Sequence, residues 1–144
     1  MPQSLSGTLH DGYHTLLQRV YFEHTDFSGI VYHARYLNFL ERGRTDYVRL
    51  LDIHHNELAD GAHGENLAFA VFRMELDFKA AARIDDVLKI TTRQGELKGP
   101  RLTFNQKITR GDTLIVQAKV GVVLINEEGK PRRFPRAMVK ALGL

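Results

Sequence analysis

One stretch of this chain, from Arg19 to Arg44, combines residue types that can do chemistry: Arg-Val-Tyr-Phe-Glu-His-Thr-Asp-Phe-Ser-Gly-Ile-Val-Tyr-His-Ala-Arg-Tyr-Leu-Asn-Phe-Leu-Glu-Arg-Gly-Arg. A single carboxylate, Asp26, sits in a run of turn-forming types from His24 to Gly29, shortly before an amphipathic pattern opens near Tyr32 and His33. The first N–H groups of a helix have no intrahelical partner and mark the positive end of its dipole, so an oxyanion is stabilised there. A carboxylate held opposite such a helix start can attack an acyl carbonyl, or activate water to do so, while the amides hold the developing charge. The same residues also fit a plainer role, since an aspartate in a Ser/Gly loop commonly forms a turn or caps a helix.

The neighbouring groups have two readings each. Tyr32 and His33 either shape a site with their side chains or simply pack at a helix start. Glu41 is either a second acid or, three residues before Arg44, its ion-pair partner, and pairing is the expectation. His54, His55, Glu57 and His63 suggest a metal, but His-Glu-x-x-His spacing and cysteine ligands are both missing, so no metal site is expected. Neither a phosphate-binding Gly-x-x-x-x-Gly-Lys-Ser/Thr loop nor a dinucleotide glycine fingerprint occurs, which leaves nucleotide hydrolysis and hydride transfer without support.

The elements that must position Asp26 follow from patterning. At 144 residues and 43% hydrophobic content, the chain suits one compact domain. Residues 1–12 read as a flexible tail and 13–144 as the domain. Tyr13 to Phe22 reads as a strand, and Tyr36, Leu37, Leu40, Tyr47, Val48 and Leu51 recur at helical spacing over Tyr32 to Leu51. Gly43 inside that helix costs about 1 kcal/mol relative to Ala, which predicts a close backbone approach there, best explained by a sheet crossing. Asp52 to Asn66 reads as a loop with one short helical turn. Four strands follow, at Leu67 to Ala81, Asp86 to Leu97, Arg101 to Arg110 and Thr113 to Ile125, separated by turn signals. A short helix from Pro135 to Leu142 closes the chain.

This order predicts an α+β layout: one long helix buried by a five-stranded antiparallel sheet. One helix covers so broad a sheet poorly and leaves its edges open, so a homodimer or homotetramer is expected. Twenty Lys and Arg against 17 Asp and Glu give a net charge of +3, too slight to argue for nucleic acid. Lys130, Arg132, Arg133, Arg136 and Lys140 concentrate that excess, as solvated surface or as phosphate contacts. The absence of cysteine, of a signal-peptide pattern and of any apolar run near the ~20 residues of a membrane span predicts a cytoplasmic protein.

The Arg19–Arg44 stretch resembles the signature of the 4-hydroxybenzoyl-CoA thioesterase family, in its YbgC-like branch. Thr25, Asp26, Gly29, Val31, Tyr32, His33, Tyr36, Phe39 and Arg44 fall in its register, with Glu41 one position off. Weaker similarity continues through residues 72–78, 82–86 and 133–135. The resemblance implies the hotdog fold and hydrolysis of an acyl-CoA or acyl-carrier thioester, with no cofactor beyond the CoA of the substrate. It implies catalytic roles for Asp26, the backbone N–H of His33, and Tyr32. Thr25, Gly29 and Tyr36 would meet substrate, and Lys98, Arg101 and Arg133, with Arg132 and Arg136, are candidates for the CoA phosphates. Tyr36, Phe39 and Phe69 would line the acyl chain. His24 replaces an acidic residue common two positions before the aspartate. Two rivals remain: a non-catalytic thioester- or partner-binding protein of the Tol-Pal envelope system, and a hydratase, whose Gly-Asp-x-Asn-Pro-x-His motif is missing here.

Overall fold

The computed structural model describes residues 5–144. Its long helix, α1 (Arg35–Leu50), buries Tyr36, Phe39, Leu40, Gly43, Arg44, Tyr47 and Val48 on one face. That spacing is the stripe a helix needs to lie on a sheet. The sheet comprises β1 (Thr8–His10), β2 (Tyr13–Arg19), β3 (Leu67–Phe78), β4 (Val87–Lys98), β5 (Arg101–Arg110) and β6 (Thr113–Asn126). All neighbours are antiparallel, in the order β1-β2-β4-β5-β6-β3. Two short helices, α2 (His55–Ala59) and α3 (Arg136–Ala141), complete the chain.

The close approach expected at Gly43 is present. A Cβ there would stand 2.7 Å from Ile90 Cγ2, 3.0 Å from Thr92 Oγ1 and 3.1 Å from Gln106 Nε2. Gln106 also bridges helix and sheet, because its Nε2 donates to the Leu40 carbonyl and to Thr92 Oγ1, each at 2.9 Å. The helix backbone therefore rests almost directly on β4 and β5.

Three expectations need correction. The sheet has six strands, not five, because β1 forms inside the segment read as a flexible tail; residues 1–4 of that tail lie outside the described residues. β1 is secured from a distance: the Gly7 N–H donates to Asp46 Oδ2 (2.8 Å), which also meets Nε2 of the fully buried His14 at 2.6 Å. The long helix starts at Arg35 rather than Tyr32. Residues 32–34 form a tighter lead-in, with N–H groups of Arg35, Tyr36 and Leu37 each bonding the carbonyl three residues back. Third, β3 stops at Phe78, since Lys79 and Ala80 both turn their N–H groups to the Ile115 carbonyl. Among the described residues no helix is long and apolar enough to cross a membrane.

Candidate active site

Asp26 opens a tight loop closed by backbone bonds. Its N–H donates to the Ile30 carbonyl, and the Gly29 N–H donates back to the Asp26 carbonyl, both at 3.0 Å. Gly29 has φ +84°, the left-handed conformation that side chains resist, and that is why glycine is needed there. The loop flanks pair as a miniature ladder, with Thr25 opposite Val31 and the Tyr32 N–H on the His24 carbonyl (2.9 Å). Val31 N–H donates to the Ala82 carbonyl (2.8 Å), while the Ala82 N–H donates to the hydroxyl of Tyr36 in α1 (3.1 Å). Loop, helix start and the segment before β4 are thus one hydrogen-bonded unit.

Below the loop, His24 is buried with its ring edge-on to Phe39, at 4.8 Å between centroids. Its Nδ1 accepts the Tyr21 N–H at 2.9 Å. Burial lowers its pKa, Glu23 acts the other way, and Arg42 and Arg35 add to the lowering. The residue that replaces a family acid is therefore a neutral structural support at neutral pH, carrying its proton on Nε2.

Asp26 itself is half-exposed and held below the usual carboxylate range, first by the Ser28 hydroxyl and then by the Ser28 N–H (2.8 Å), both donating to Oδ1; partial desolvation opposes them. It is ionised at neutral pH. Its Oδ2 has no protein donor among the described residues. A short distance along the chain, the N–H groups of His33 and Ala34 likewise meet no acceptor among the described residues, just before α1 begins. An anionic oxygen free to attack and unpaired amides at a helix start are the two parts that acyl transfer requires. The side chains of Tyr32 and His33 are exposed, with ring centroids 4.6 Å apart, and His33 also lies edge-on to Phe78 at 6.3 Å.

Other expected site residues fall elsewhere. Thr25 spends its hydroxyl on the Phe22 carbonyl (2.8 Å), closing a 3-10 turn over Phe22–His24. Tyr36 and Phe39 are core residues rather than surfaces open to a ligand. Lys98 and Arg101 flank the β4–β5 turn, at the far end of the strand whose first residue, Val87, pairs with Arg19. Eleven residues of strand put them ~35 Å from the Asp26 end. Arg133 joins them there, since the Arg132 N–H bonds the Leu124 carbonyl and the Leu124 N–H bonds that of Pro100. Arg101 stacks over the Phe72 ring at 4.5 Å. One chain therefore gathers these cations together, but not beside its own aspartate. Of the histidines weighed for a metal, His54 bonds Asp52 (3.0 Å) whereas His55 turns to Phe69 and Thr45, so the adjacent rings point apart.

The expected Glu41–Arg44 ion pair does not form. Glu41 accepts the hydroxyl of Thr45 (2.6 Å), and Arg44 donates to Gln106 Oε1 (3.1 Å) across the helix–sheet boundary. Gln106 lies 62 residues along the chain from Arg44, and no spacing rule reaches that far. Ser28 was also missed, although an Asx turn two residues after Asp26 was readable from its type.

Residues 20–142 match the thioesterase-like superfamily. The chain belongs to that superfamily. This thioesterase-like chain is 39% identical over 124 residues to the acyl-CoA thioesterase YbgC of Haemophilus influenzae, covering 85% of this chain and 89% of that protein. It is 40% identical over 123 residues to the acyl-CoA thioester hydrolase YbgC of Escherichia coli O6:H1, covering 84% and 89%. Among solved structures, a probable thioesterase from Bartonella henselae superposes with a TM-score of 0.84 at 50% identity, covering 85% of this chain and 99% of that one. The hotdog architecture implied by the resemblance is the observed one.

Proposed function

We propose that this chain hydrolyses acyl-CoA thioesters to the free acid and CoA, with Asp26 supplying the attack. The observation that carries the reading is an ionised Asp26 with a free oxygen, on the same rigid unit as the unpaired N–H groups of His33 and Ala34. The YbgC relatives named above act on acyl-CoA, which supplies the substrate class. Either Asp26 Oδ2 bonds to the acyl carbon, expels the thiolate and yields a mixed anhydride that water cleaves, or it takes a proton from the water that attacks. Both routes place the carbonyl oxygen on the helix-start amides, consume one water and need no metal or redox cofactor.

Two copies make the site whole. β3 ends the sheet as a twelve-residue open edge, with Val71, Phe72 and Phe78 exposed along it and Leu37 of α1 exposed nearby. An edge of that length invites pairing. Antiparallel pairing of β3 with a second β3 turns the end holding Lys98, Arg101 and Arg133 toward the partner's Asp26, where these cations can meet the CoA phosphates. The rival reading, thioester or envelope-partner binding without turnover, has no observation of its own here.

The test is steady-state hydrolysis of an acyl-CoA panel by pure protein. Asp26→Asn keeps the Ser28 contacts but removes the charge, and turnover should fall by at least about 100-fold, the scale of a lost nucleophile or base. Wild-type turnover by Asp26→Asn would reject the assignment.

A further inference from the structure

His24 joins the turn before the Asp26 loop to the segment that leads into α1. It is 4% exposed, yet its Nδ1 is an acceptor in use, since the Tyr21 N–H donates to it at 2.9 Å. The His24 N–H in turn donates to the Tyr21 carbonyl at 3.0 Å, so ring and main chain together close the 3-10 turn over Phe22–His24. The carbonyl of the same residue accepts the Tyr32 N–H at 2.9 Å, across the loop. One residue thus holds the turn with its ring and spans the Asp26 loop with its carbonyl.

This arrangement accepts only one protonation state. With Nδ1 receiving an N–H, the ring proton is on Nε2, and a second proton would have to sit on Nδ1, head-on to the Tyr21 N–H. The bond would be lost and a charge left in a buried site. The surroundings do little to hold that charge. Edge-on contacts with Phe39 (4.8 Å) and Tyr21 (5.9 Å) enclose the ring. Of the charged groups facing it, Glu23 lies 3.7 Å from Nε2 with its carboxylate largely in water, and Arg35 and Arg42, both on α1, repel a cation. Burial is the larger influence and Glu23 opposes it, so the ring titrates below the ordinary histidine value of 6.5.

We infer that His24 is a positioning residue for Asp26, and that a proton arriving at its Nδ1 opens the loop. When Nδ1 takes a proton from solvent, the Tyr21 bond breaks, the ring leaves its place against Phe39 and the turn over Phe22–His24 loosens. The His24 carbonyl then releases the Tyr32 N–H, and the aspartate is no longer fixed relative to the amides of His33 and Ala34. Two steps compose the acid limb of activity: an upper one from the ring and a lower one from Asp26, whose carboxyl is held below its ordinary range by Ser28. The link to turnover rests on the thioesterase reading above; the opening of the loop does not.

His24→Asn tests this, because the Asn Oδ1 can stand where Nδ1 does and accept the Tyr21 N–H, but it takes no proton in this range. The pH profile of kcat/KM for one acyl-CoA is compared with that of the wild type. At neutral pH His24→Asn should stay within about threefold of the wild type, and on the acid side it should lack the upper step and remain active where the wild type has faded. His24→Leu, which cannot accept the bond, should lose about 5- to 10-fold in kcat at neutral pH with KM little changed, the scale of one hydrogen bond. Coincident acid limbs in the wild type and His24→Asn, or wild-type kcat in His24→Leu, overturns the inference. Nuclear magnetic resonance of the ring-labelled wild type covers the case in which a variant fails to fold. The His24 ring should titrate at the midpoint of the upper step, and the Asp26 and Tyr32 amide hydrogens should lose their protection from exchange through the same range. A ring that titrates while those amides stay protected also overturns the inference. Loss of protection in a protein that hydrolyses no acyl-CoA would instead sink the thioesterase reading and leave the acid-opened loop standing.

Discussion

Gly43→Ala pits helix propensity against packing at one position, and the structure says which prevails. In an exposed helix the change would stabilise by about 1 kcal/mol. Here the added methyl would stand 2.7 Å from Ile90 Cγ2, where carbon atoms normally meet at about 3.5–4.0 Å. Ile90 is fully buried and cannot retreat freely. Nor can Gln106, 3.1 Å away, move without loosening its bonds to Leu40, Thr92 and Arg44, each worth about 1 kcal/mol. Overpacking of this kind costs roughly 1–3 kcal/mol, and the loosened bonds add to it, so after the propensity gain the net loss is about 1–3 kcal/mol. For a domain of this size that lowers the melting temperature by roughly 3–9 °C. Thermal and urea unfolding at one fixed protein concentration measure it, with an unchanged m-value expected. A variant as stable as the wild type would mean that α1 does not ride so close to β4 and β5, and that the stated reason for glycine here is wrong.

Two further outcomes concern the loop. Ser28→Ala removes the larger of the two interactions that depress the Asp26 pKa, so that pKa should rise toward its ordinary value. If Asp26 is the reacting group, as proposed, its charged form is the active one and is lost as pH falls through the folded-state pKa, so the acid limb of the pH–kcat/KM profile should move to higher pH; an unmoved limb would mean that Ser28 does not tune the reacting group. Gly29→Val forces a β-branched residue to φ +84°, at a cost of about 1–3 kcal/mol, and should reduce turnover sharply, whereas Gly29→Asn should be milder because Asn tolerates that conformation. Turnover and melting temperature of the pair are compared, and wild-type rates in Gly29→Val would show that the loop shape is irrelevant to catalysis.

Much of this architecture was legible because its signals are local. The stripe from Tyr36 to Val48 and the Gly111-Asp112 turn announce a helix and a hairpin within a few residues of themselves, and Gly43 betrayed its contact by being a costly residue in that stripe. The Asp26 loop was readable by type and its meaning by resemblance. What escaped depends on partners far along the chain. Thr8–His10 is too short to carry a recognisable period and is a strand because β2 pairs with it and Asp46 secures Gly7 and His14. Glu41 and Arg44 have the spacing of a pair, yet Thr45 one turn on captures the acid and Gln106 in β5 captures the base. Only the assembled sheet reveals that Lys98, Arg101 and Arg133 sit at the opposite end from Asp26.

The ladder that carries Asp26 is fastened almost wholly by main-chain bonds, through Ile30, His24 and Ala82. Phe22, Phe27 and Tyr32, which belong to the same stretch of chain, stay exposed and are not what keeps it in shape. On the proposed reading, replacing them would retune which molecules settle over the aspartate while Asp26 and the helix-start amides stay where they are, so such a scaffold could drift toward new substrates without first being rebuilt.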